Sequence, residues 1–226
     1  MVIFEREGLT FNEEEHKYTV NGKELKSVTT LIDELFPEFD ADKKAGDMSA
    51  KSGKDKEVIL AEWKATADEG TLVHKEIENY IKSAVRPTHS KALMARYWCQ
   101  TNTFQDTLHS EVRVFSEGLG IAGTIDLVVE KPHCPYLKPR VTLVDWKTNA
   151  KIYKACFGKG GKGVISHIAD CNYNKYNLQL SIYAYILEME YGVIVDGLKL
   201  VHLVDGEYVV YEMDYLKQTV RSILGG

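Results

Sequence analysis

Residues 141–147 read Val-Thr-Leu-Val-Asp-Trp-Lys, and residues 121–130 upstream read Ile-Ala-Gly-Thr-Ile-Asp-Leu-Val-Val-Glu. Both are short, rich in β-branched residues and patterned with a period of two, so each is predicted to be a strand. Side chains two apart on a strand share a face, so Asp145 and Lys147 project together while Val144 and Trp146 point the other way. Asp126 lies in the companion strand, flanked by Ile125, Leu127 and Val129, which read as core-facing. Two carboxylates on adjacent strands repel unless a proton or a cation lies between them. Oxygen ligands of this kind suit Mg2+ or Mn2+. Such an ion polarises a phosphoryl oxygen and lowers the pKa of a bound water, while Lys147 orients that water or offsets the charge growing on phosphate. Read in isolation, Asp145 and Lys147 are more often an ordinary exposed ion pair of little energetic weight.

Working outward, Glu111 to Phe115 is a third strand, and a turn around Gly118 and Gly120 makes it the antiparallel neighbour of the Asp126 strand. Glu111 opens that strand; it either supports the site through water on the metal or is an exposed strand-end glutamate. Upstream, Thr71 is predicted to cap a helix after Gly70, with Val73, Ile77, Tyr80, Ile81 and Ala84 on one apolar face and Pro87 ending it. A further helix is expected from Lys91 to Leu108. Nearer the start, Asn21-Gly22 centres a hairpin over Tyr18 to Leu25, and Ser27 precedes a helix from Val28 to Leu35 that Pro37 stops. Beyond the strands come a glycine- and lysine-rich loop, Cys156 to Gly163, and an apolar helix from Leu178 to Glu190. Two last strands, Leu198 to Val204 and Tyr208 to Glu212, flank Asp205-Gly206 before a short closing helix.

The chain has 226 residues, enough for one sizeable core, and is read as a single domain: an N-terminal hairpin and helical cap over 1–65 and a core over 66–226. Hydrophobic residues make up 44% and charged ones 27%, which excludes a largely disordered chain. No stretch approaches the ~20 apolar residues of a membrane span, and Met1 to Phe11 lacks the layout of a secretory signal, so an intracellular protein with no membrane partner is expected. Cys99, Cys134, Cys156 and Cys171 show no zinc-site spacing and are read as reduced thiols. The net charge of −5 would discourage a nucleic-acid partner if it were evenly spread. It is not: residues 147–176 carry six lysines against one acid, whereas residues 1–42 carry eleven acids against four bases. Lys151, Lys154, Lys159 and Lys162 are therefore candidate contacts to a DNA backbone, the alternative being a solvated loop. The run Gly158-Lys-Gly-Gly-Lys-Gly163 lacks the GK[ST] ending of a phosphate loop, so nucleotide binding there is not expected.

Four fragments occur in order: Gly70-Thr-Leu-Val-His74 on a helix, Gly123-Thr-Ile-Asp126 on a strand, Asp145-Trp-Lys147 on the next strand, and Gln179-Leu-Ser-Ile-Tyr183 on a helix. The series resembles the RecB-like branch of the PD-(D/E)XK nucleases, whose motifs are GxxxH, GxxD, (D/E)xK and QxxxY. It is most similar to the mitochondrial genome maintenance exonucleases and their phage-encoded relatives, which also look alike at Ser27-Val28-Thr29 and in the paired strands after the QxxxY helix. The resemblance implies an α/β fold with a mixed central sheet between helices. It implies His74, Asp126, Asp145 and the Trp146 carbonyl as ligands of Mg2+ or Mn2+, Lys147 as the catalytic lysine, and Gln179 and Tyr183 lining the site. By spacing alone, His74 is also readable as a core histidine, and Tyr183 as part of a packed stripe with Ile182 and Ile186. Ser27 and Thr29 join the lysines as candidate DNA contacts. No cysteine follows Gln179, so the iron-sulfur cluster of some relatives is not expected. The implied activity is metal-dependent cleavage of DNA, as an exonuclease on single-stranded ends in replication, repair or recombination, in the cytoplasm of a bacterial or phage-infected cell. The alternatives are a structure-specific endonuclease on the same core and a noncatalytic DNA-binding subunit of a helicase-nuclease complex.

Overall fold

Asn21 and Gly22 both take positive φ, 51° and 80°, the geometry their dipeptide favours, and they close β2 (Lys17–Val20) onto β3 (Lys23–Ser27). The computed structural model describes residues 4, 6–134, 136–156 and 160–225. A strand that the sequence reading lacked, β1 (Leu9–Asn12), pairs antiparallel with β2. Ser27 then caps α1 (Val28–Leu35): its Oγ accepts the Thr30 N–H at 3.0 Å. The polar stretch that follows forms α2 (Ala41–Ser52), capped by Asp40.

The next helix corrects the sequence reading. No helix starts at Thr71; α3 (Lys56–Ser83) starts behind Asp55, whose side chain accepts the Glu57 N–H, and it passes straight through Gly70. Thr71 Oγ1 donates to the Ala67 carbonyl at 3.2 Å, a bond within the helix rather than a cap. A glycine inside a helix costs only about 1 kcal/mol, which so long a helix absorbs. Helix α4 (Ser90–Asn102) ends before Leu108, which instead enters β4 (Thr107–Ser116) opposite Val129 of β5 (Ile121–Glu130). Then follow β6 (Arg140–Lys147), α5 (Asn172–Glu190), β7 (Ile194–Val204), β8 (Glu207–Met213) and α6 (Lys217–Leu224). Helix α5 begins earlier than the expected Leu178, because its first turns are polar and carry no apolar signal.

The strands form one mixed sheet of eight in the order β1-β2-β3-β5-β6-β7-β8, with β4 on the other edge of β5. One face is covered by α1, α5 and α6 through Val28, Ile32, Leu178, Ile182, Ile186 and Val220. The opposite face is covered by α3 and α4 through Val73, Ile77, Ala95 and Trp98. The chain is thus α/β, a mixed central sheet flanked by helices, and α3 runs across the expected boundary at 65/66. Among the described residues no helix is long and apolar enough to cross a membrane.

Two strands share one edge of β5. At its start β3 pairs parallel, Ser27 opposite Ala122; at its end β6 pairs antiparallel, Leu127 opposite Val144. Between them β6 diverges toward β7, and the edge of Gly123 to Asp126 is left without a strand partner. This opening positions the site.

Candidate metal centre

Strand β4 runs along the other edge of β5, and its ladder is broken at one place. Val112 pairs with Ile125 and Ser110 with Leu127, and between them Glu111 adopts φ 53°, opposite Asp126. A left-handed glutamate inside a strand is uncommon and strained, and such residues gather at functional sites. Both strands change sides there. Val112 and Ile125 lie in the core beneath α5, whereas Leu108, Leu127 and Val129 lie in the core against α3 and α4. Glu111 is therefore neither exposed nor at the start of its strand, as one sequence reading had it; it is a half-buried residue in the middle of β4.

Helix α3 brings His74 to the same place. One ligand atom each from His74, Glu111 and Asp126 lie within 4.8 Å of one another. His74 Nε2 is 3.1 Å from the Trp146 carbonyl, and Nδ1 is 3.7 Å from Asp126 Oδ2. With Nε2 donating to the carbonyl, Nδ1 presents a lone pair to a carboxylate oxygen, an arrangement that calls for a proton or a cation. Asp126 Oδ2 also accepts the Trp146 N–H at 2.8 Å. Trp146 is the residue at which β6 has left β5, so the carboxylate replaces a ladder partner for its N–H. The Trp146 ring turns away and packs edge-on against Trp98, as the alternation predicts.

Asp145 and Lys147 lie on the α5 side of the same fork. Lys147 Nζ is 2.7 Å from Asp145 Oδ2, yet that buried oxygen has no partner in hydrogen-bonding geometry. Burial, with the Asp126 charge, pushes the Asp145 carboxyl up to about 6 against the pull of Lys147. Burial lowers the Lys147 ammonium, but the charges of Asp145 and Asp126 prevail and hold it above its ordinary value. At Glu111, burial and then the Asp126 charge push the carboxyl up to about 8. Three carboxyl groups thus crowd one opening with more negative charge than they can carry unaided. A divalent cation suits this donor set, and the Asp145 carboxylate, paired with Lys147, stands beside it.

Gln179 and Tyr183 reach the opening from α5, with Gln179 Nε2 donating to the Tyr183 hydroxyl at 3.4 Å. Tyr183 is also core: it is buried, and burial raises its phenol so far that it stays protonated. Its ring occupies the space above Gly123, where a Cβ would stand 2.6 Å from Tyr183 Cε1. The glycine of the GxxD fragment is therefore a packing requirement. Tyr176 was missed. The Lys147 ammonium lies 4.5 Å from its ring centroid, and its hydroxyl accepts from Asn149 Nδ2 at 2.9 Å. Its place three residues before Gln179, on the same helical face, was the available signal.

The other candidates are dispersed. Lys151 is exposed. The Lys154 ammonium lies over the rings of Tyr173 and Tyr211, and Lys162 Nζ donates to the Glu34 carbonyl at the end of α1. Lys159 lies outside the described residues. Ser27 and Thr29 stand at the start of α1, where β3 leaves the shared edge of β5, and their hydroxyls are 2.9 Å apart.

No protein-family model and no curated protein matches the chain. Among solved structures, the crystal structure of SSO0001 is similar over 88% of this chain and 72% of its own, at 13% identity and a TM-score of 0.38, a likeness too slight to carry an argument.

Proposed function

We propose that the chain is a metal-dependent deoxyribonuclease with a PD-(D/E)XK core, acting on single-stranded DNA ends. One observation carries the reading: His74, Glu111, Asp126 and the Trp146 backbone converge where β5 and β6 part, with the buried Asp145–Lys147 pair beside them. The four ordered motifs of the sequence support it, since their residues meet at this opening from two strands and two helices.

His74, Glu111 and Asp126 would hold Mg2+ or Mn2+, with Asp145 and the Trp146 carbonyl in reach of the same opening. Bound there, the ion supplies a Lewis acid for phosphoryl oxygen and a water of lowered pKa. Lys147, cationic and held by Asp145 and the Tyr176 ring, offsets charge that grows on the phosphate as the phosphodiester is attacked. Gln179 offers its amide to a phosphate oxygen or water. The protonated Tyr183 hydroxyl orients that amide and cannot act as a base.

The test is cleavage of end-labelled linear and covalently closed single-stranded DNA with Mn2+, Mg2+ or EDTA, comparing the wild type with Lys147→Ala. Metal-dependent loss of the linear strand alone, reduced about 10²-fold or more in the variant, supports the reading. Cutting of circles moves it to an endonuclease. No cleavage with either metal, or an undiminished variant, rejects the site.

A further inference from the structure

A cavity of about 770 Å³ opens beside the candidate metal centre, and of the four motifs only Thr124 of the Gly123–Asp126 fragment lines it. Glu111 and Thr124 line it and also border the fork, so the cavity is continuous with the candidate site. One wall is α3, with Lys75, Glu78, Ile81 and Lys82; the facing walls are β4 and the N-terminal strand β1, with Leu108, Val112, Arg113, Leu9 and Phe11.

We propose that this cavity is a single-strand subsite that takes the unpaired nucleotides next to the cleaved phosphodiester. The inference rests on the nuclease reading and deepens it. Three features point to this occupant. First, the lining mixes apolar and aromatic side chains with cations, the combination that holds bases by their faces and phosphates by their charge. Arg113 lies 5.2 Å over the Phe11 ring, which itself stacks on Tyr18 at 4.5 Å, so Phe11 offers a face to a flat ring once Arg113 turns aside. Secondly, four cations, Arg6, Lys75, Lys82 and Arg113, line it against three acids, Glu13, Glu78 and Glu111; Glu78 pairs with both lysines, and Arg6 pairs with Glu190. Arg113 is only loosely engaged, 3.9 Å from Glu13, and is free to turn to a phosphate. Thirdly, clefts of ~300–1,000 Å³ accept small ligands. A volume in that range admits a few unpaired nucleotides and is too small for several stacked base pairs. Preference for unpaired DNA thus comes from the shape of the wall built by β1 and α3.

The experiment uses the whole protein and short single strands bearing 2-aminopurine at the 5′ or the 3′ end, bound in EDTA so that nothing is cut. Fluorescence at one end should be quenched on binding, and Phe11→Leu should abolish the quench. In Mn2+, Phe11→Leu and Arg113→Gln should each raise KM for linear single strands about tenfold, with kcat changed less. Lys82→Gln, on the facing helix and away from the Phe11–Tyr18 stack, should also raise KM, which keeps the subsite testable should Phe11→Leu loosen the fold. If the wild type cleaves in Mn2+ but neither end is quenched and all three variants keep the wild-type KM, the subsite is wrong while the nuclease reading stands. If the wild type neither binds nor cleaves single strands, the nuclease reading falls and the subsite with it.

Discussion

Asp126 and Trp146 are joined by a 2.8 Å hydrogen bond from a backbone N–H to a carboxylate oxygen, at the point where the β5–β6 ladder stops. One side chain therefore serves both fold and site: it satisfies the peptide that the fork leaves bare, and it faces His74 and Glu111. The two roles separate on substitution. Asp126→Asn keeps an oxygen for the Trp146 N–H but loses the charge, so stability in EDTA should change by less than about 1 kcal/mol while cleavage falls about 10²-fold or more. Asp126→Ala should cost about 1–3 kcal/mol as well, from the unsatisfied N–H. Urea unfolding beside activity measures both; an Asn variant as unstable as the Ala variant contradicts the assignment.

Glu111 gives the metal-free protein a pH dependence with a defined sign. Its carboxyl is held at about 8, above the ~4.3 of an unfolded chain, so the native state binds this proton more tightly. The stability it lends is complete below about pH 4 and is lost as pH rises through about 8. Asp145, held at about 6, acts in the same direction over the lower part of that window. Unfolding in EDTA should therefore become easier from pH 5 to pH 8, and Mn2+ should stabilise most at the alkaline end, where the carboxyls are free to ligate. Glu111→Gln should flatten the metal-free slope and diminish the Mn2+ effect. An unaltered slope in that variant would count against the buried carboxyl as its source.

Much of this architecture is legible in the sequence because it rests on local chemistry. Asn21-Gly22 sets the hairpin, Ser27 and Pro37 bracket α1, and the alternation at Asp145 and Lys147 sends Trp146 to the opposite core. What escaped depends on contacts remote in sequence. Gly70 reads as a helix boundary, yet a Cβ there would lie 3.1 Å from Thr148 Oγ1, so the glycine marks a close approach inside α3. Glu111 reads as a strand end because Thr107 to Ser110 lack a clean alternation, and both strands change sides where it meets Asp126. The cluster of His74 with the Trp146 carbonyl joins residues from α3 and β6, a meeting that ordered motifs imply but spacing cannot measure.

Gly123 and Tyr183 should prove coupled. A Cβ at Gly123 would stand 2.6 Å from Tyr183 Cε1 and 2.7 Å from its hydroxyl, closer than a packed core tolerates. Gly123→Ala should cost about 1–3 kcal/mol through overpacking. Tyr183→Phe leaves the ring in place and should not relieve it, whereas Tyr183→Leu combined with Gly123→Ala should cost less than the two single changes added together. Additive losses in a double-mutant cycle would mean that the strain lies elsewhere.

Ser27 and Thr29 begin α1 at the shared edge of β5, and their surroundings assign them different tasks. Ser27 is buried, its Oγ already accepting the Thr30 N–H at 3.0 Å and lying 2.7 Å from Thr30 Oγ1, so its hydroxyl is spent on the cap. Thr29 is exposed and, among the described residues, its hydroxyl contacts the Ser27 cap, which leaves it able to turn to a phosphate at a helix N-terminus. Ser27→Ala should therefore lower stability by about 1 kcal/mol and leave single-strand affinity unchanged under conditions where the protein is folded. Thr29→Ala should leave stability within about 0.5 kcal/mol of the wild type and weaken single-strand binding. Fluorescence anisotropy of a labelled strand beside urea unfolding separates the two; weakened binding in a fully folded Ser27→Ala protein would give that hydroxyl a direct contact with DNA instead.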